Sequence, residues 1–201
     1  MVCVVTKEVC NAIVEVLQPR YIRVPAGDEL KKIVEGFKTE LGFPQCAGVD
    51  GTHIPIISPA ECAADYYNRK GFHSVIMQGV VDNLGHFMEV YIGWPGRVHD
   101  ARVFVNSSLY KRGQDGTLFP DWKDTICGEE IPLLVLGDPA YPLLSWLVKA
   151  FPDNGSLSSQ QKTFDYRLSK ARVVVEHAYG RLKGRWRCLL KRNDILVTYQ
   201  K

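Results

Sequence analysis

Ile131-Pro132-Leu133-Leu134-Val135-Leu136-Gly137-Asp138 is an unbroken apolar run of strand length that ends on a carboxylate. Ile131 to Gly137 has the length and character of a strand covered on both faces, as strands with parallel neighbours are. Asp138 then falls at its carboxyl end, where ligand sites of open α/β sheets lie. Three further strand-like runs precede it, Ala47 to Ile57, Ser74 to Val81 and Phe87 to Ile92. The last two flank Asp82-Asn83-Leu84-Gly85-His86, a hairpin turn. Gly93-Trp94-Pro95-Gly96 is expected to break the third strand, and His99-Asp100-Ala101-Arg102 to open a helix reaching about Lys111. Gly113 to Gly128 is rich in turn formers and reads as a surface loop. After a second loop, Pro152 to Ser159, a helix is predicted from Gln160 to Tyr179 with a continuation to Trp186. Phe164, Leu168, Ala171, Val175, Ala178 and Leu182 form its core stripe. Upstream, residues 8–40 read as helical: Val9, Ile13, Val14 and Leu17 share a face, Pro19 interrupts, and Leu30, Ile33, Val34 and Phe37 resume the spacing. Leu41-Gly42-Phe43-Pro44 closes that region. This order predicts an α/β fold, a mixed sheet flanked by helices.

Composition narrows the function classes. A chain of 201 residues, 46% apolar and 23% charged, has the balance of a globular domain with a sizeable core. No apolar stretch approaches the ~20 residues of a membrane span, and the start, Met1 to Lys7, lacks the basic leader of a signal peptide. Cys3, Cys10, Cys46, Cys62, Cys127 and Cys188 form no CxxC pair. That argues against a zinc knuckle and a disulfide framework, and leaves buried or partly buried free thiols as the expectation. The net charge of +3 hides an asymmetry: Lys162 to Arg192 carries a net +8, and the remainder a net −5. A basic arm on an acidic body is the footprint of phosphate contact; a solvated helix face is the plainer alternative.

Asp138 and Glu176 each lie within apolar surroundings, where an unpaired charge is costly, and Asp50 repeats the pattern in Cys46 to Ile56. Glu176 stands one residue off the helical stripe, with Arg172 and Tyr179 as helical neighbours, and is expected at the stripe's edge facing the sheet. Such acids commonly cap helices or pair with arginine, and Arg172 is available to Glu176. Converging from separate elements, the three would suit hard cations. Magnesium takes oxygen ligands at roughly 2.0–2.1 Å, and two ions about 3.5–4 Å apart can stabilise both oxygens of a phosphoryl displacement.

Five ordered motifs surround these acids: Val49-Asp50-Gly51-Thr52-His53-Ile54, Tyr67-Asn68-Arg69-Lys70-Gly71, Gly93 to Arg102, Gly137-Asp138-Pro139-Ala140-Tyr141-Pro142, and Val175-Glu176-His177-Ala178-Tyr179-Gly180-Arg181-Leu182-Lys183-Gly184-Arg185-Trp186. Together, from about Phe43 to Arg187, they resemble the nuclease domain of PIF/Harbinger transposases and the nucleases derived from them. The resemblance implies an RNase H-like fold and a metal-binding Asp-Asp-Glu triad of Asp50, Asp138 and Glu176, with 37 residues between the last two. It implies magnesium or manganese as cofactor, DNA as substrate, a nuclear location with the cytoplasm as a second one, and a Myb-like DNA-binding partner. Residues 1–42 are then a remnant of the family's N-terminal helical region, and 43–201 the endonuclease domain, shortened before its closing helix. Pro139 and Ala140 depart from the usual Gly-Asp-x-Gly-Tyr pattern, a change expected to shift the loop after Asp138. The alternative function is a catalytically silent DNA-binding or scaffold protein that kept the fold.

Among neighbouring residues, His99 and Asp100 are auxiliary candidates, helix capping being the alternative for Asp100. His53, three residues past Asp50, falls on the opposite sheet face and reads as structural. Tyr66, Tyr67, Arg69 and Lys70 are either DNA contacts or a polar loop. Arg172, Arg181, Lys183, Arg185 and Arg187 are the candidate phosphate contacts of the last helix, and Trp186 reads as a core anchor.

Overall fold

The computed structural model describes residues 2–44 and 46–193. Helix α1 (Val2–Ala12) runs through a π-helical stretch, Ile13–Leu17, into α2 (Gln18–Tyr21), and α3 (Gly27–Glu40) follows. Then come β1 (Cys46–Pro55), α4 (Ala63–Tyr66), β2 (Ser74–Val81), β3 (Phe87–Pro95), α5 (Asp100–Val105) and α6 (Ser108–Gln114). Strands β4 (Lys123–Ile126), β5 (Glu129–Pro132), β6 (Leu134–Leu136) and β7 (Leu147–Val148) lead to the long α7 (Ser159–Arg185) and a 3-10 turn, Arg187–Leu190.

Five strands form one sheet in the order β3-β2-β1-β6-β7, and β4 and β5 pair apart from it. β1 is antiparallel to β2 and parallel to β6, and β6 is parallel to β7. A three-strand meander joined to two parallel strands, with helices on both faces, is the RNase H-like arrangement expected. The faces follow from the two-residue period of β1. A Cβ on Gly48 would meet Val175 of α7, whereas one on Gly51 would meet Asp100 of α5. The α7 face buries Ile54, Ile56, Val75, Met77, Leu168, Ala171 and Val175, together with Phe37 of α3. The opposite face buries Val49, Val80, Phe104, Leu109 and Tyr141.

The structure corrects several boundaries. Pro19 does not end the first helical region: it lies just past the π-helical stretch, and the helix runs on to Tyr21. The chain leaves the helix at Ile22, three residues before Pro25. Val9, Ile13, Val14 and Leu17 are exposed, as are Val4, Val5 and Val16. β3 continues through Gly93 and Trp94 to Pro95, since Ile76 pairs with Trp94 while Met77 pairs with Ile92. Gly93 is the extra residue of that bulge, at φ +122°.

The helix predicted from His99 to Lys111 divides at Ser107, whose Oγ accepts the Tyr110 N–H at 3.2 Å and starts α6 anew. The run from Ile131 to Gly137 is likewise divided: Ile131 and Pro132 belong to β5, and only Leu134–Leu136 enter the main sheet. The predicted loop before it contains β4. Its two-residue turn, Cys127-Gly128, has both φ values positive, at 54° and 89°.

The four cysteines whose side chains are described are not core thiols. Cys10, Cys62, Cys127 and Cys188 are free and exposed, while the side chains of Cys3 and Cys46 lie outside the described residues, as do 194–201 of the expected domain. Among the described residues no helix is long and apolar enough to cross a membrane.

Candidate active site

Asp50 and Asp138 approach each other because β1 and β6 run parallel. Cys46 pairs with Leu134, Ala47 with Val135 and Gly48 with Leu136. Continued two residues, this register sets Asp50 level with Asp138. Asp138 closes an Asx turn: its Oδ1 accepts the Ala140 N–H at 2.8 Å and its backbone oxygen accepts the Tyr141 N–H at 2.9 Å. Ala140 is absent from the positive-φ residues, so this turn does not need the family's glycine. Pro139 and Ala140 therefore leave a formed turn beside Asp138.

Arg172 of α7 joins the three acids. Its Nη1 lies 2.7 Å from Asp50 Oδ2 and 3.7 Å from Asp138 Oδ2, and its Nη2 lies 3.5 Å from Glu176 Oε1. The first two carboxylates thus face each other across one side-chain nitrogen. Glu176 does not face the sheet as expected: its side chain is 55% exposed, against 16% for Arg172. The helical turn nearest the sheet is filled by Val175, Ala178 and Tyr179, which leaves Glu176 at the rim.

Burial dominates the electrostatics of Asp50. Desolvation pushes its carboxyl up to about 6, against the opposing pull of Arg172 and the Gly51 N–H, and Asp138 and Asp100 add to the rise. Two tyrosines close the floor. The Tyr179 hydroxyl donates to the backbone oxygen of Asp50 at 2.8 Å, fixing β1 at the acid. The Tyr141 hydroxyl is buried and has no hydrogen-bond partner among the described residues; desolvation first, then the charges of Asp50, Asp100 and Asp138, holds it well above the ordinary phenol range. Sequence reading missed Tyr141, although it follows Asp138 by three residues.

Asp100 belongs to the same neighbourhood from the other face. It is the first residue of α5, and neither it nor His99 caps the helix through a side chain. Its Oδ1 lies 3.1 Å from where a Gly51 Cβ would stand, so glycine there admits the carboxylate. Burial raises the Asp100 carboxyl, opposed by His53 and reinforced by Asp138. His53 lies on this face, as its spacing implied: Nδ1 is 2.9 Å from Ser74 Oγ, and burial lowers its pKa. His99 meets the Arg69 guanidinium, with Nδ1 at 2.5 Å from Nη2. Tyr66 is buried in the core, whereas Tyr67 is exposed.

The remaining cations of α7 diverge. Lys183 donates to Thr52 Oγ1 at 2.7 Å and to the His53 backbone oxygen at 2.9 Å, and burial lowers its pKa with help from Lys70. Arg181 donates to the Leu84 backbone oxygen in the β2–β3 turn. Arg185 and Arg187 are exposed. Trp186 is exposed too, so it is no core anchor.

Among the described residues, no three His, Cys, Asp or Glu side chains are gathered so as to hold a metal ion; the cation among the acids is Arg172. The donor set nevertheless suits a hard divalent ion: carboxylate oxygens on neighbouring parallel strands, whose mutual repulsion calls for positive charge.

Comparison with known proteins agrees with this architecture. Residues 49–199 match the family described as DDE superfamily endonuclease. The chain is 31% identical over 184 residues to Antagonist of like heterochromatin protein 1 of Arabidopsis thaliana, covering 89% of the chain and 46% of that protein. It is 32% identical over 173 residues to an ALP1-like protein of the same plant, covering 80% and 40%. With the human "Putative nuclease HARBI1" it shares 30% identity over 172 residues, covering 85% and 45%. The chain thus spans less than half the length of these relatives. No solved structure matches it. From Val49 onward the match takes in Asp50, Asp138, Arg172 and Glu176 alike, and the chain belongs to the DDE superfamily endonucleases, as its resemblance to the Harbinger transposase-derived nucleases implied.

Proposed function

We propose that the chain is a divalent-metal-dependent DNA endonuclease domain of transposase origin, with Asp50, Asp138 and Glu176 as its magnesium or manganese ligands. One observation carries the reading: a single guanidinium reaches all three acids, so the three lie within reach of one concentrated positive charge. Bound there, two ions would supply an activated water and neutralise the oxygens of an in-line displacement. Asp50 and Asp138 hold their places through the β1–β6 register and the Asx turn, and Tyr179 pins the backbone at Asp50. Glu176 completes the set from the solvent side of α7, where DNA can approach. Arg185 and Arg187, at the exposed end of the helix, bind backbone phosphates. A nuclear location and a Myb-like DNA-binding partner accompany this reading. The test is nicking of supercoiled DNA in magnesium: Asp138→Asn should reduce cleavage to background while melting like the wild type. Normal nicking by the folded variant would overturn the assignment.

A second reading, a silent DNA-binding or scaffold protein, draws on Arg172 holding the acids and on the plant relative, whose name describes an antagonist and no nuclease. Salt-sensitive DNA binding without any metal-dependent cleavage would select it.

A further inference from the structure

Three acids that share one arginine present a conflict. A guanidinium is permanently charged, and its Nη1 sits 2.7 Å from Asp50 Oδ2, an oxygen that a metal ion would approach to about 2 Å. The two cations cannot both occupy that oxygen at these distances without strong mutual repulsion. Only the Asp50 contact is a short hydrogen bond; those to Asp138 and Glu176, at 3.7 and 3.5 Å, are looser. Glu176 is itself 55% exposed, so its end of the guanidinium's contacts lies next to solvent. Once released, the guanidinium's planar fork matches the oxygens of a phosphate.

We infer that Arg172 is a positioning residue that exchanges partners: it neutralises Asp50, Asp138 and Glu176 in the free protein and passes to a DNA phosphate when divalent ions take the acids. The inference rests on the nuclease reading above. Its consequence is a positive linkage between the two ligands. DNA that draws Arg172 away exposes the acids to metal, and metal that displaces Arg172 delivers it to DNA, each by the same factor.

The test measures Mn2+ binding to the full chain at pH 8 by the electron paramagnetic resonance signal of the free ion. Titrations are run without and with a DNA duplex, whose integrity is checked on a gel. For the wild type, DNA should tighten Mn2+ binding about tenfold, within the usual range of such couplings. Arg172→Gln should bind Mn2+ about tenfold more tightly than the wild type without DNA, and DNA should then add less than about threefold. Arg172→Lys, which keeps the charge and loses the fork, should fall between them, and it decides the matter if the glutamine variant does not fold by circular dichroism. Unchanged Mn2+ affinity and linkage in a folded variant would overturn the exchange alone and leave the nuclease reading standing. Failure of wild type and variants to bind Mn2+ even with DNA would overturn both.

Discussion

At the scale of single residues, Asp50 is held in a state that its chemistry resists. Its carboxyl is 18% exposed and pushed up to about 6, from 3.8, chiefly by desolvation. Between those values the folded chain keeps a proton that the unfolded chain has released, so this group's contribution to stability falls as pH rises from about 4 to about 6. Asp50→Asn removes that slope. In chelator, the melting temperature of the variant relative to the wild type should climb across this window, by an amount equivalent to roughly 2–3 kcal/mol at most; parallel melting profiles would refute it. The three acids stand out in the sequence, because ordered motifs and apolar neighbours mark them, and the structure gathers them at Arg172. Arg172 was not legible as the partner of Asp50. Its helical spacing offered only Glu176, four residues on, whereas its closest partner is Asp50, 122 residues away. Tyr141 was hidden for the same reason, since its proximity to Asp50 and Asp100 comes from tertiary packing.

At the scale of elements, the site depends on α7 lying close to β1. Gly48 permits this: a Cβ there would stand 2.7 Å from Val175 Cγ2. Gly48→Ala should overpack the interface and lower stability by about 1–3 kcal/mol, measured by chemical denaturation, and an unchanged midpoint would mean that the helix shifts freely. α7 itself was readable from its stripe and from its start, where Ser158 and Gln161 form a capping box at 2.8 and 3.2 Å. Elements of three or four residues were not. β4 and β5 are exposed and turn at Cys127-Gly128, which lacks the asparagine or aspartate that usually announces such a turn. The face of Val9, Ile13, Val14 and Leu17 is helical as its spacing predicts, yet it lies exposed. Periodicity gives an apolar face but does not supply the surface that covers it.

At the scale of the whole molecule, charge is divided between an acidic body and the basic segment from Lys162 to Arg192. DNA affinity should therefore fall steeply with salt, and Arg185→Ala with Arg187→Ala should reduce the log–log slope by roughly two, about one for each phosphate released. Fluorescence anisotropy over a salt series measures it; an unaltered slope would place the DNA elsewhere. The α/β class was legible at this scale because the order of strands and helices is carried by turn signals and apolar runs, even where individual limits moved. The rims of the sheet carry one more consequence. β7 offers two residues for pairing, and β3 is interrupted at Gly93 and ends on Pro95. An incoming strand from another chain would meet two residues at one rim of this sheet and a bulged, proline-ended strand at the other, both of them features that discourage edge-to-edge pairing.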